Sequence, residues 1–274
     1  MFLVVWAGSA TAGFLGAITG LGGGVVVVPL LALALHVDLR YAIGASLLSV
    51  IATSSGAAAA YVREGISNIR IGMFLEIATT VGALAGAAVA AHVATGFVAT
   101  TFGLVLLGAA AVSLRRAEDG APQGTPPAGL ARTLRLHGRF VQDGVPVDYS
   151  AQRAAPGFAL MFVAGMLSGL LGIGSGALKV IAMDNVMRLP FKVSTTTSNF
   201  MIGVTAAASA GVYLSRGYIA PGLAAPVVLG ILPGALLGAR VLPRVHSRVL
   251  RLVFTGVIVA LAVEMFFKGV TGSL

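Results

Sequence analysis

One glycine-broken apolar stretch occurs twice in this chain, and that duplication constrains the fold more than any other feature. The first copy is Ala12-Gly-Phe-Leu-Gly-Ala-Ile-Thr-Gly-Leu-Gly-Gly-Gly24, and the second is Ala164-Gly-Met-Leu-Ser-Gly-Leu-Leu-Gly-Ile-Gly-Ser-Gly176. The offset of 152 residues holds without a gap well past the motif. Tyr61 and Gly65 fall on Tyr213 and Gly217, and Gly82-Ala-Leu-Ala-Gly-Ala87 falls on Gly234-Ala-Leu-Leu-Gly-Ala239. A register kept over this distance marks two homologous halves. Paired hydrophobic segments interrupted by glycine, at matching places in two halves, point to the binding site of a membrane transporter.

The solvent for such a chain is lipid. Of 274 residues, 57% are hydrophobic and only 10% are charged. A soluble domain carries about a quarter charged residues, enough to cover a water-facing surface, and this chain cannot do so. The net charge of +9 does not indicate nucleic acid. The basic residues sit almost wholly in short gaps between apolar runs, which is the positive-inside pattern. The absence of cysteine excludes disulfides, iron–sulfur centres and thiol chemistry. His36, His92, His137 and His246 are scattered over the gaps without an i,i+4 pair, so no metal site and no cofactor are expected. The first apolar run begins at Met1 without a basic leader region and is read as mature protein.

In chain order, residues 2–35 form an apolar run broken at Gly20 to Gly24. It is too long for one straight crossing of about 20 residues and too short for two. Two half-helices meeting at a glycine tip would fit, with a single broken crossing as the rival. Crossings follow at 42–62, 71–91 and 97–114. Gly, Pro, Asp and Arg dominate residues 115–155, a linker in which Phe140 to Val147 reads as a small hairpin about Asp143-Gly144. The second half repeats the broken segment over 156–187, with crossings at 194–214, 222–242 and 252–267. The expected fold is therefore all-α and polytopic, a membrane repeat at 1–114, a cytoplasmic linker and a second repeat at 156–274.

The arginines choose between a returning hairpin and a broken crossing. Arg115, Arg116, Arg132, Arg135, Arg139 and Arg153 put the linker in the cytoplasm. If the second broken segment returns, Arg240, Arg244, Arg248 and Arg251 are also inside, leaving Arg40, Arg216 and Lys268 outside and Lys179 within the membrane. If it crosses, those four arginines go outside, against the bias. Each half then holds one hairpin and three crossings. Three is odd, so the halves are inverted and both termini lie outside.

Taken together, these residues resemble the sulfite exporter TauE/SafE family. The likeness rests on the first glycine run, on Pro29-Leu30, on Gly165, Gly169, Gly172, Gly174 and Gly176, on Thr197-Ser198-Asn199 and on Gly234, and it covers nearly the whole chain outside the linker. It implies export of sulfite, or of a sulfonate such as sulfoacetate, across the bacterial inner membrane by an ion-gradient-driven carrier without an ATP site. Ser175 stands where the first copy has Gly23, and Ile181 where it has Pro29, so the halves are not interchangeable.

The candidate substrate-binding residues begin with the glycine breaks, Gly22, Gly23 and Gly24 with Gly174, Ser175 and Gly176. An unwound tip frees N–H groups, and a helix N-terminus there attracts an anion; the competing role is close helix packing. Ser46 and Ser198 are equivalent by the offset, and with Asn199 they offer donors to an oxoanion or ordinary interhelical bonds. Lys179 is the lone basic residue within a membrane segment, where a charge needs a partner. Either the substrate or Asp184 supplies that partner, or the side chain snorkels to the interface. Glu76 is the coupling candidate, as a proton carrier or a partner of Arg70. The Gly82 and Gly86 face serves internal packing or a homodimer. A channel-like anion pore, or a carrier of another small carboxylate or oxyanion, is the alternative function. No acid pair or nucleophile–base set points to an enzyme. A small anion and the lipid bilayer are the expected partners.

Overall fold

The computed structural model describes residues 2–31, 35, 37–89, several positions between 96 and 111, 129–142, 145–171 and 175–271. We label the elements α1 (Phe2–Thr19), α2 (Gly24–Pro29), α3 (Leu39–Arg63), α4 (Ile69–Val89), α5 (Leu130–Thr133), β1 (His137–Gln142), β2 (Val145–Ser150), α6 (Ala154–Leu171), α7 (Gly176–Ile181), α8 (Phe191–Ser215), α9 (Pro221–Val241) and α10 (Ser247–Thr271). A π-helical turn, Ala182–Val186, continues α7.

Four described helices are long and apolar enough to cross a membrane: Arg40–Arg63, Ile69–Val89, Pro221–Arg244 and Arg248–Thr271. Helix α8 matches them in length, at 25 residues, but carries Ser194-Thr-Thr-Thr-Ser-Asn199 in its first half. Those hydroxyls are tolerated because every residue from Phe191 to Asn199 is buried among other helices rather than in lipid. Thr195 and Thr196 turn their hydroxyls back onto the Lys192 carbonyl, which satisfies them within the helix. By contrast, α4 presents Met73, Ile77, Val81 and Leu84 outward at helical spacing, a stripe suited to lipid.

The helices pack by exchanging one member between the halves. Helix α9 lies along α1 and α3, and α4 lies along α6 and α8. Under the 152-residue offset these two groups map onto one another, with α3 and α8 packed together at the centre. Glycine makes the exchange close. A Cβ on Gly82 or Gly86 would collide with the carbonyls of Phe162 and Met166 on α6. The equivalent Gly234 and Gly238 meet the carbonyls of Ala10 and Phe14 on α1. The reverse contacts match too: Gly165 lies against the Thr79 carbonyl and Gly13 against that of Ile231. Between lipid-embedded helices there is little hydrophobic drive to associate, so backbone approach through small residues supplies the packing. The Gly82 and Gly86 face is therefore spent inside the molecule and is not a dimer surface.

The two helices of the broken segment are unequal. Helix α1 has 18 residues, about 27 Å at 1.5 Å per residue, close to the ~30 Å hydrocarbon thickness. Its partner α2 has 6. The small hairpin expected in the linker is present. Strands β1 and β2 pair antiparallel, with Gln142 opposite Val145, so two residues close the hairpin. Asn68 anchors this hairpin to the helices. Its Oδ1 accepts the Ile71 N–H at the start of α4, and its Nδ2 donates to the His137 carbonyl and the Tyr149 hydroxyl. On the exposed side Arg139 pairs with Asp148 through two hydrogen bonds, which hold the Asp148 carboxyl below its ordinary range.

Candidate functional site

The first break is built by two left-handed glycines. Gly20 and Gly22 have φ of 74° and 75°, a region side chains disfavour, and they turn the chain between α1 and α2. Unwinding strips the last carbonyls of α1 of their helical partners. Residues from other helices replace them. Asn199 Nδ2 donates to the Ala17 carbonyl at 2.7 Å and Tyr61 Oη to the same oxygen at 3.1 Å. Ser198 Oγ donates to the Gly20 carbonyl at 2.8 Å. Ser198 and Asn199, two of the candidate donors to substrate, thus already have backbone partners that hold the break open.

The two breaks touch. A Cβ on Gly176 would lie 2.5 Å from the Gly20 carbonyl oxygen and 2.6 Å from the Leu21 Cα. The Ser198 hydroxyl also approaches the Gly176 carbonyl, at 3.4 Å. On the other side, a Cβ on Gly24 would lie 2.5 Å from Ser46 Oγ and from Val50 Cγ2. Gly22 packs against Ile202 and Val50, and Gly23 against Ile231 and Thr53. Gly22, Gly23, Gly24, Ser46, Ser175, Gly176 and Ser198 are all buried. Gly174 lies outside the described residues. Two polar atoms in this region, Ser175 Oγ and Asn199 Oδ1, are buried and have no partner among the described residues. Buried polar atoms are normally paired, so these two mark a place suited to a polar guest.

One turn beyond Ser175, Lys179 is fully buried on α7 and meets Glu76 of α4, with Nζ 3.1 Å from Oε2. Thr205 of α8 bridges them, accepting from the ammonium and donating to Glu76 Oε1. Thr79 and Thr80 donate to the two carboxylate oxygens at 2.9 and 3.1 Å. The pairings weighed from sequence, Lys179 with Asp184 and Glu76 with Arg70, give way to this one. Sequence distance hid it, because 103 residues separate the partners. An ammonium supplies three donors. Among the described residues, Glu76 and Thr205 take two of them.

Thr205, Thr79, Thr80 and Tyr61 were not named as site residues from sequence. A signal existed for two of them. Tyr61 recurs as Tyr213, and Thr205 and Thr53 are equivalent by the offset, so a hydroxyl recurs at the same depth of α3 and α8. No repeat marks the other two, since Ile231 and Leu232 occupy the places of Thr79 and Thr80. Among the described residues there is no group of His, Asp or Glu that could hold a metal.

A duplicated glycine break, interlocked halves and a buried ion pair are the features of this site. Residues 5–265 match the family model described as Sulfite exporter TauE/SafE. The chain belongs to the sulfite exporter TauE/SafE family. It is 30% identical over 267 residues to the probable membrane transporter protein YunE of Bacillus subtilis (strain 168), covering 94% of this chain and 95% of that protein. It is 26% identical over 230 residues to the probable membrane transporter protein YdhB of the same organism, covering 83% of each. No solved structure matches the chain. TauE-family membership makes it a multi-pass transporter of the bacterial inner membrane, moving a small anion, and not an enzyme.

Proposed function

We propose that this TauE-family protein is a secondary transporter that exports a small sulfur oxyanion, sulfite or a sulfonate such as sulfoacetate. Its substrate would sit where the two glycine breaks meet. The observation that carries this reading is the contact of Gly176 with Gly20 and Leu21, beside the unpartnered Ser175 Oγ. Glycines let an anion approach backbone N–H groups, and the short helices α2 and α7 both start there. Gly22, Gly23, Gly24 and Ser46 would contribute from the first side and Ser175, Gly176, Ser198 and Asn199 from the second, with Gly174 a candidate by sequence outside the described residues. Lys179 adds a positive charge one turn away.

In this reading the linker is cytoplasmic, the halves are inverted, and both termini are outside. The matched packing of α4 on α6 and of α9 on α1 supports it, because two interlocked equivalent groups can rock about a shared centre. Reporter-enzyme fusions at both ends test the topology; a C-terminus reported as cytoplasmic sinks the inverted scheme. Counterflow of labelled sulfite and sulfoacetate in vesicles tests the function. Saturable exchange of either anion is expected, whereas a high-rate, non-saturating current belongs to a pore.

A further inference from the structure

The Glu76–Lys179 pair carries an inference that rests on the anion site just proposed. Both groups are buried, and together they are neutral. An anion arriving at Ser175 meets the remaining N–H of Lys179, one turn away along α7. With Glu76 still ionised, the site would then hold one excess negative charge for hydrogen sulfite, and two for sulfoacetate, in a low-dielectric interior. That cost is large, and such a group takes up a proton instead. We propose that binding of a small anion at the breaks is coupled to protonation of Glu76. The anion takes over Lys179, the carboxylate releases the ammonium and gains one proton from water, and the site buries one negative charge fewer: its net charge is zero with hydrogen sulfite bound and minus one, rather than minus two, with the doubly charged sulfoacetate.

The surroundings suit both states of Glu76. Its partners Thr79, Thr80 and Thr205 are hydroxyls, which rotate to donate to a carboxylate or to accept from a carboxylic acid. Other charged groups do not compete. Along α6, which packs on α4, residues 154–171 contain no titratable side chain. On α8, Lys192 turns away to the Pro243 carbonyl, and Tyr213 at the far end packs against Tyr218. Asp184, in the π turn after α7, has a partner of its own. Arg70 lies on α4 itself, six residues before Glu76 and toward its start. Lys179 is thus the charge that Glu76 answers to. The coupling also belongs to one repeat alone, since the equivalent positions are Val27 and Val228.

Calorimetry on the purified full-length protein tests this, with sulfite and sulfoacetate titrated in two buffers of different ionisation enthalpy. Wild type should take up about one proton more per bound anion than Glu76→Gln, a difference that cancels any titration of the anion itself. Wild-type affinity for sulfoacetate, whose charge is constant from about pH 6 to 8, should fall roughly tenfold per pH unit as pH rises, because binding consumes a proton. Should the variant fail to fold, this slope carries the test alone. Binding with no proton difference and a flat pH profile overturns the coupling while leaving the site. No binding of either anion overturns the site, and the coupling with it.

Discussion

The two glycine breaks descend from one sequence, yet the structure gives them different neighbours. Around α7 lie Lys179, Glu76, Thr205 and Thr79, a charged cluster of neutral total. The equivalent positions around α2 are Val27, Val228, Thr53 and Ile231, where only the hydroxyl survives. The first break, in turn, uses one donor that the repeat does not preserve: Asn199 caps the Ala17 carbonyl, whereas its counterpart Leu47 has no side-chain donor. Duplication supplied a symmetric frame, fixed by backbone contacts of glycine. Divergence put the ion pair beside one break and the Asn199 amide against the other.

The largest effect expected from this comparison is steric. A Cβ at Gly176 strikes backbone, whereas one at Gly24 strikes the Ser46 and Val50 side chains, which can shift. Gly176→Ala should therefore abolish vesicle transport, and Gly24→Ala should leave part of it, with an overpacking cost of about 1–3 kcal/mol in stability. Equal losses at both positions would show that the breaks are sterically alike. Next comes charge. Lys179→Met leaves Glu76 buried and unpaired, which costs about 3–5 kcal/mol. The matched change on the other side, Val27→Met, should cost less than about 2 kcal/mol as a hydrophobic swap. Thermal unfolding in detergent compares them, and adding Glu76→Leu to Lys179→Met should restore much of the loss.

Smaller effects follow at the polar supports. Asn199→Leu copies Leu47 into the second half and removes a donor to Ala17. Because Tyr61 still donates to that carbonyl, the loss should be about 1 kcal/mol. Adding Tyr61→Phe leaves the carbonyl bare and should cost more than the two changes separately, a departure a double-mutant cycle reads directly. The smallest change in stability is expected for Ser175→Gly, which copies Gly23. Its Oγ has no partner among the described residues, so unfolding should hardly move. Anion affinity should still fall by the equivalent of one charge-assisted hydrogen bond, about 1.5–3 kcal/mol. Unchanged affinity removes Ser175 from the site.

Much of this was legible in the sequence because period and composition are local properties. The offset located the halves, apolar runs located α3, α4, α9 and α10 while the run at 97–114 lies mostly outside the described residues, and Asp143-Gly144 located the hairpin. Pairing between distant elements is not local. Gly82 and Gly86 announced a close helix contact but not that α6 would receive it. Lys179 announced the need for a partner, but Glu76 reaches it only once α4 has crossed into the other half's group. The backbone bonds of Ser198 and Asn199 were hidden for a related reason. The α1 carbonyls that they satisfy exist as free acceptors only after the chain unwinds at Gly20.

The central claim is that two breaks form one anion site. Equilibrium binding of labelled sulfite and sulfoacetate to purified wild type, Gly24→Leu and Gly176→Leu, with folding checked on each, tests it most directly. The account predicts one bound anion per chain in wild type for the anion that is transported, and none in either leucine variant. Two anions per chain, or a leucine variant that folds and binds as wild type does, would contradict it.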